Sequence, residues 1–222
     1  MQRCLMGIIL IMSLLTLTVT AESTPATGVY DNFDNAELSL WQGPGKTTIK
    51  LKDQTVVFRQ TARFKRMPLL SKQAFDLDLA SQQYPIDLTV ELVDLKGNNG
   101  NKKEHNNFEM GWANEKGKTI FALRWEFLSE GFNQANRMFN SKTWGARWWA
   151  KPPKVFFDEG DILGLRVTDT QVQILRNGKV TRSTARPADL PNIDKCRIYL
   201  SFMGAKNGAL LTLDNVLTQG VK

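Results

Sequence analysis

The chain has 222 residues, a formal net charge of +7, 42% hydrophobic residues, and only one histidine and two cysteines. That length suits a single domain with a core of its own, and the positive balance favours acidic partners: anionic polysaccharide, cell-wall polymer or membrane headgroups. A lone histidine excludes metal centres built on several histidines, and no HExxH, Walker loop or GxSxG motif is present.

Residues 1–21 read as a secretory signal peptide. Met1-Gln2-Arg3 is a short basic start, Leu5 to Val19 is an apolar run, and Val19 and Ala21 stand at the −3 and −1 positions of a cleavage site before Glu22. Cleavage leaves 222 − 21 = 201 residues with 28 basic and 22 acidic side chains, a net +6. The expected product is secreted, periplasmic or extracellular, monomeric, without a membrane span and without a nucleic-acid partner. Only Cys196 then remains, so an intrachain disulfide is impossible, and it is expected as a buried thiol in a strand. Residues 22–30, rich in Ser, Thr and Pro, are expected to be a flexible leader, and 31–222 a single domain.

Short strands follow one another along that domain. Thr47 to Leu51 and Gln54 to Arg59 flank a turn at Lys52-Asp53, and Met67 to Leu70 and Phe75 to Leu79 come next. Between Ile86 and Leu95, apolar Ile86, Leu88, Val90 and Leu92 alternate with Asp87, Thr89 and Glu91, the period of a half-buried strand. After the polar loop 97–107, which holds the sole histidine, His105, as a solvated side chain, Phe108 to Trp112 and Thr119 to Phe127 make a hairpin. Pairing Trp112 with Phe121 also pairs Met110 with Leu123 and Phe108 with Trp125, giving one wholly apolar face. Glu109, Gly111, Ala122, Arg124 and Glu126 fall on the other, with Glu109 opposite Arg124. A one-residue slip would mix the faces, so this register is well specified.

Residues 128–160 are the least regular, with Val155 to Phe157 returning to strand. Asp161 to Ser183 then reads as a three-strand meander. Leu163, Leu165 and Val167 alternate with smaller or polar neighbours, Val172 and Ile174 repeat the pattern, and Asn177-Gly178 is a strong hairpin signal. It sets Arg176 opposite Lys179, Leu175 opposite Val180 and Gln173 opposite Arg182, and the polar positions Arg176, Lys179 and Arg182 read as sheet surface. Strands at Ile198 to Met203 and Leu210 to Leu217 close the chain. No long helical period and no repeat appears, so the expected fold is all-β, an antiparallel two-sheet sandwich or jelly roll.

Three pieces of this pattern resemble the concanavalin A-like lectin/glucanase (laminin-G-like) sandwiches. They are the opening Asn32-Phe33-Asp34 with Leu38, Leu40 and Trp41, which resembles a first strand with an Asp-x-Phe element before a tryptophan; the Asn-Gly-Lys meander; and the closing Leu-Asp-Asn-Val strand, Leu213 to Val216. The resemblance spans residues 31–218 and implies that the last strand pairs near the first. It also implies carbohydrate as the ligand class. Calcium stays open, since lectin-like domains bind it, but no ligand set here matches one, and no cofactor or metal ligand is assigned.

Two groups of residues are candidates for carbohydrate chemistry. Glycosidases need two carboxyl groups about 5 to 10 Å apart. Glu109 and Glu126 share a sheet face with Arg124 between them and are the catalytic candidates; the same three residues also read as an exposed cross-strand ion network. The Glu-x-Asp-x-x-Glu strand of the glucanases is absent. For binding, Trp144, Trp148 and Trp149 stand within six residues of one another with Arg147 among them, residue types that stack on sugar rings and dominate recognition sites. Adjacent Trp148 and Trp149 cannot both face inward on a strand. With Arg124 they form the expected binding set, and Arg63, Lys65 and Arg66 are a further basic cluster, read first as a solvated strand face and second as the extension of an anion-binding groove. The alternatives are therefore a glycan-binding module, a glycoside hydrolase or polysaccharide lyase on the same face, and a structural or adhesive envelope protein.

Overall fold

Alternating burial decides the architecture. The structure, a computed structural model, describes residues 28–34, 37–43, 48–77, 85–96, 106–127, 137–139, 157–186 and 193–220. Its strands are β1 (Gly28–Asp31), β2 (Trp41–Gln42), β3 (Ile49–Lys52), β4 (Thr55–Arg59), β5 (Met67–Ser71), β6 (Phe75–Leu77), β7 (Ile86–Lys96), β8 (Asn106–Ala113), β9 (Thr119–Phe127), β10 (Arg137–Phe139), β11 (Ile162–Val167), β12 (Gln171–Arg176), β13 (Lys179–Ala185), β14 (Ile193–Met203) and β15 (Leu210–Gln219). They form an eight-stranded sheet ordered β13-β12-β11-β7-β15-β4-β3, with β1 on β15, and a seven-stranded sheet ordered β10-β9-β8-β14-β5-β2, with β6 on β14. Every pairing is antiparallel. Among the described residues no helix is long and apolar enough to cross a membrane.

The core lies between the sheets. Ile86, Leu88, Val90 and Leu92 of β7 and Leu163, Leu165 and Val167 of β11 meet Phe108, Met110 and Trp112 of β8 and Phe121, Leu123, Trp125 and Phe127 of β9 in one cluster. The β8–β9 register is the expected one, Phe108 to Trp125, Met110 to Leu123 and Trp112 to Phe121. Two of these pairs stack, with ring centroids 5.6 Å apart for Phe108–Trp125 and 6.0 Å for Trp112–Phe121. Each such pair contributes about 0.5–1.5 kcal/mol beyond its buried area. Cys196 is buried in this core, as expected, and burial pushes its thiol up to about 12.

The chain ends close on each other. β15 is covered by β4 along Leu210–Leu213 and by β1 along Val216–Thr218, so the last strand does pair with the first. Between these halves the register shifts, and Asn215 takes a positive φ of 46°. The Asp-Asn-Val element is thus a β-bulge, which a polar Asn tolerates.

Several boundaries differ from the sequence reading; β8 starts at Asn106, inside the expected polar loop, and β14 at Ile193, five residues before the expected strand. The first strand is Gly28–Asp31, so it starts within the expected leader and ends before Asn32-Phe33-Asp34. Asp31 explains the stop: its carboxylate accepts from Phe33 N at 2.8 Å and from Trp41 Nε1 at 2.6 Å, bending the chain over the core. The β3–β4 turn residues are Asp53 and Gln54, both at positive φ, one position later than expected. Phe157, from the expected strand at 155–157, is a buried core residue outside any strand. In the meander, Asn177 and Gly178 do form the turn at φ 51° and 73°, and Leu175 faces Val180, but Arg182 pairs with Ile174 and not with Gln173. Thr181 is the extra residue of a bulge, its hydroxyl donating to Ile174 O at 3.1 Å.

Candidate functional site

The outward face of the seven-stranded sheet carries the polar residues that the β8–β9 alternation turns away from the core. They lie in cross-strand rows. One row runs Pro68, Ser201, Glu109, Arg124 across β5, β14, β8 and β9, and the next runs Leu70, Tyr199, Gly111, Ala122. Asn107 and Glu126 pair in the row beyond. Gly111 permits the close approach of β8 and β9, because a Cβ there would sit 2.1 Å from Phe121 O and 2.5 Å from Ala122 Cα.

Glu109 is the hub. Its Oε1 accepts from Arg124 Nε at 2.9 Å, Arg124 Nη2 at 2.5 Å and Arg66 Nη2 at 3.1 Å, and its Oε2 accepts from Tyr199 Oη at 2.7 Å. The expectation of an exposed network is overturned: Glu109 is 4% exposed, Arg124 and Glu126 each 7% and Tyr199 1%. β8 is buried on both faces over its whole length. Ion pairs in such surroundings need several hydrogen bonds to offset lost hydration, and Glu109 has four. Burial first, and then the negative charge of Glu109, push the Tyr199 phenol up to about 12, so it stays protonated and donates. Ser201 Oγ, buried beside Glu109, makes no well-formed hydrogen bond among the described residues.

Of the sequence candidates, the structure brings Glu109, Arg124 and Glu126 onto one face and adds Arg66 to them. Trp144, Arg147, Trp148 and Trp149, like His105, lie outside the described residues. Tyr199 and Ser201 were not singled out, although the alternation of Ile198, Leu200 and Phe202 already turns both away from the core. Among the described residues no group of three or more His, Cys, Asp or Glu is placed to hold a metal ion. A separate cleft of about 340 Å³ opens where β2 and β3 edge the two sheets, lined by Leu38, Ile49, Leu51, Lys50, Lys72, Glu37 and Ser39.

No family model and no curated protein matches this chain. Solved structures do. The carbohydrate recognition domain of Emp47p superposes with a TM-score of 0.60 at 11% identity, covering 90% of this chain and 98% of that one. The concanavalin A-like fold is thereby established. The calcium-bound exoplasmic/lumenal domain of VIP36 gives 0.58 at 11% identity over 86% and 88% of the two chains. A Bacillus licheniformis beta-glucanase gives 0.57 at 10% over 89% and 98%. These likenesses extend over nearly the whole sandwich, and at such identities they speak for the scaffold alone.

Proposed function

We propose that this chain is an exported glycan-binding module that recognises a polysaccharide on the outward face of the seven-stranded sheet and does not turn it over. In this reading residues 1–21 are removed on export and the mature protein acts as a monomer. Half-exposed Arg66, held by the buried Glu109–Arg124–Tyr199 network, provides polar recognition, and Trp144, Arg147, Trp148 and Trp149 provide stacking. The observation that carries the reading is the full engagement of Glu109. A glycosidase carboxyl group must present an oxygen to the glycosidic bond or to the anomeric carbon, whereas both oxygens of Glu109 are committed to Arg124, Arg66 and Tyr199. Such a carboxylate orients donors, as the polar groups of binding sites do.

The test is tryptophan fluorescence and calorimetry of the mature chain against a panel of polysaccharides, with parallel assays for new reducing ends and for unsaturated products. Saturable binding without product is expected, lost when Trp148 and Trp149 are both replaced by alanine. New reducing ends would make the protein a hydrolase, and unsaturated products a lyase. Absence of both binding and product across the panel would leave a structural or adhesive role.

A further inference from the structure

The loop joining β4 to β5 is built differently from the rest of the surface. Residues 60–66, QTARFKR, hold three basic side chains and no acid. Arg63, Phe64, Lys65 and Arg66 are all exposed, yet the loop is pinned from beneath. Gln60 is fully buried; its Nε2 donates to the carbonyls of Ala62 and Lys65, and its Oε1 accepts from Gly204 N at 3.0 Å. Backbone bonds complete the clamp: Gln60 N to Ala209 O at 2.8 Å, Gly208 N to Gln60 O at 2.8 Å and Phe64 N to Gly204 O at 2.9 Å. Gly204 is required for this fit, since a Cβ there would lie 3.0 Å from Gln60 Cβ and 2.8 Å from Ala209 Cβ.

The clamp holds Phe64 at a φ of 55°, a conformation costly for a bulky residue, with the residue 40% exposed and the Arg63 guanidinium 5.0 Å from the ring centroid. Arg66, the last residue of the loop, has a half-exposed side chain and spends Nη2 on Glu109, so the loop adjoins the sheet face directly. A guanidinium carries five N–H donors, and this contact uses one of them.

We propose that this loop is an anion-recognition element selecting an acidic polysaccharide, through its uronate or sulfate groups, for the face described above; the inference rests on the glycan-binding reading. Arg63, Lys65 and Arg66 meet the acid groups, and Phe64 lies against the sugar between them. A rigid basic loop loses little conformational freedom on binding, which is what its clamp secures. A membrane surface is a poorer fit: one ring, capped on a face by Arg63, buries too little apolar area to anchor a protein.

The experiment compares calorimetric binding to polygalacturonate and to dextran sulfate with binding to carboxyl-reduced polygalacturonate and to dextran. Acidic polymers should bind about tenfold tighter or more, and the Arg63→Ala/Lys65→Ala variant should lose about tenfold on them, with folding checked by circular dichroism. Phe64→Gly should raise thermal stability while weakening acidic-polymer binding, because glycine relieves the positive φ. Equal binding of acidic and neutral polymers overturns the loop's role and leaves glycan binding standing. Binding to no polysaccharide of the panel overturns both. Cosedimentation with phosphatidylserine vesicles that the double variant abolishes would reassign the loop to lipid headgroups.

Discussion

Glu109 and Arg124 face each other across β8 and β9 and share three atoms at close quarters, Nε and Nη2 of the arginine both donating to Oε1 of the glutamate. Both side chains are more than nine-tenths buried. Removing one partner strands the other without its hydration. Arg124→Met should therefore cost roughly 3–5 kcal/mol, whereas Glu109→Leu combined with Arg124→Met should recover most of that loss. Urea unfolding of both single variants and of the double variant measures it; a double-variant loss equal to the sum of the two single losses would mean that the pair is not coupled.

Tyr199 contributes to the alkaline limit, together with the buried Cys196 thiol. Its phenol rises from 10.0 to about 12 in the folded chain. The native state then holds a proton that the unfolded state releases above pH 10, so stability falls as pH rises from 10 towards 12, by up to about 3 kcal/mol. Tyr199→Phe should cost about 1–1.5 kcal/mol at neutral pH through the lost bond to Glu109, and should flatten that part of the alkaline limb. Denaturation midpoints from pH 8 to 12 give both readings.

Cys196 should be chemically silent in the folded protein. It is buried and its thiol is pushed up to about 12, chiefly by burial, so thiolate is scarce and access is blocked. In a Cys4→Ser background, an aromatic disulfide reagent should label Cys196 only at the rate of unfolding. Labelling in seconds under native conditions would place the thiol at the surface.

Asp161 governs the acid side. Burial works against its charge, but bonds from Asp158 N at 2.6 Å, Arg176 Nε at 2.8 Å and Asn177 Nδ2 at 2.7 Å outweigh it and hold the carboxyl below 3.8. Its contribution is present above the unfolded value and is lost as pH falls below about 4. Asp161→Asn should cost about 1.5–3 kcal/mol at pH 7 and reduce the slope of the acid limb. Arg176, expected to be plain sheet surface, belongs to this network, with Phe157 beneath its guanidinium at 5.8 Å.

Much of the scaffold was legible in single residues. Trp112, Phe121, Met110 and Leu123 determine the β8–β9 register, because a slip of one would bury Glu109 and Arg124 in the core. Asn177-Gly178 determines its turn through two positive φ angles. The bulges at Thr181 and Asn215 were not legible, since an inserted residue leaves the local alternation intact and changes only what lies opposite.

The site divides the same way. The sequence by itself determined that Glu109, Arg124 and Glu126 share one face of one hairpin, because side chains alternate along a strand. Only the tertiary structure decided that Tyr199, 90 residues away, and Arg66, 43 residues away, complete the shell of Glu109. It also decided that the network is buried. The physical reason is that β8 takes β14 as its second neighbour and the β4–β5 loop arrives beside it, and pairings between distant strands leave no trace in local periodicity.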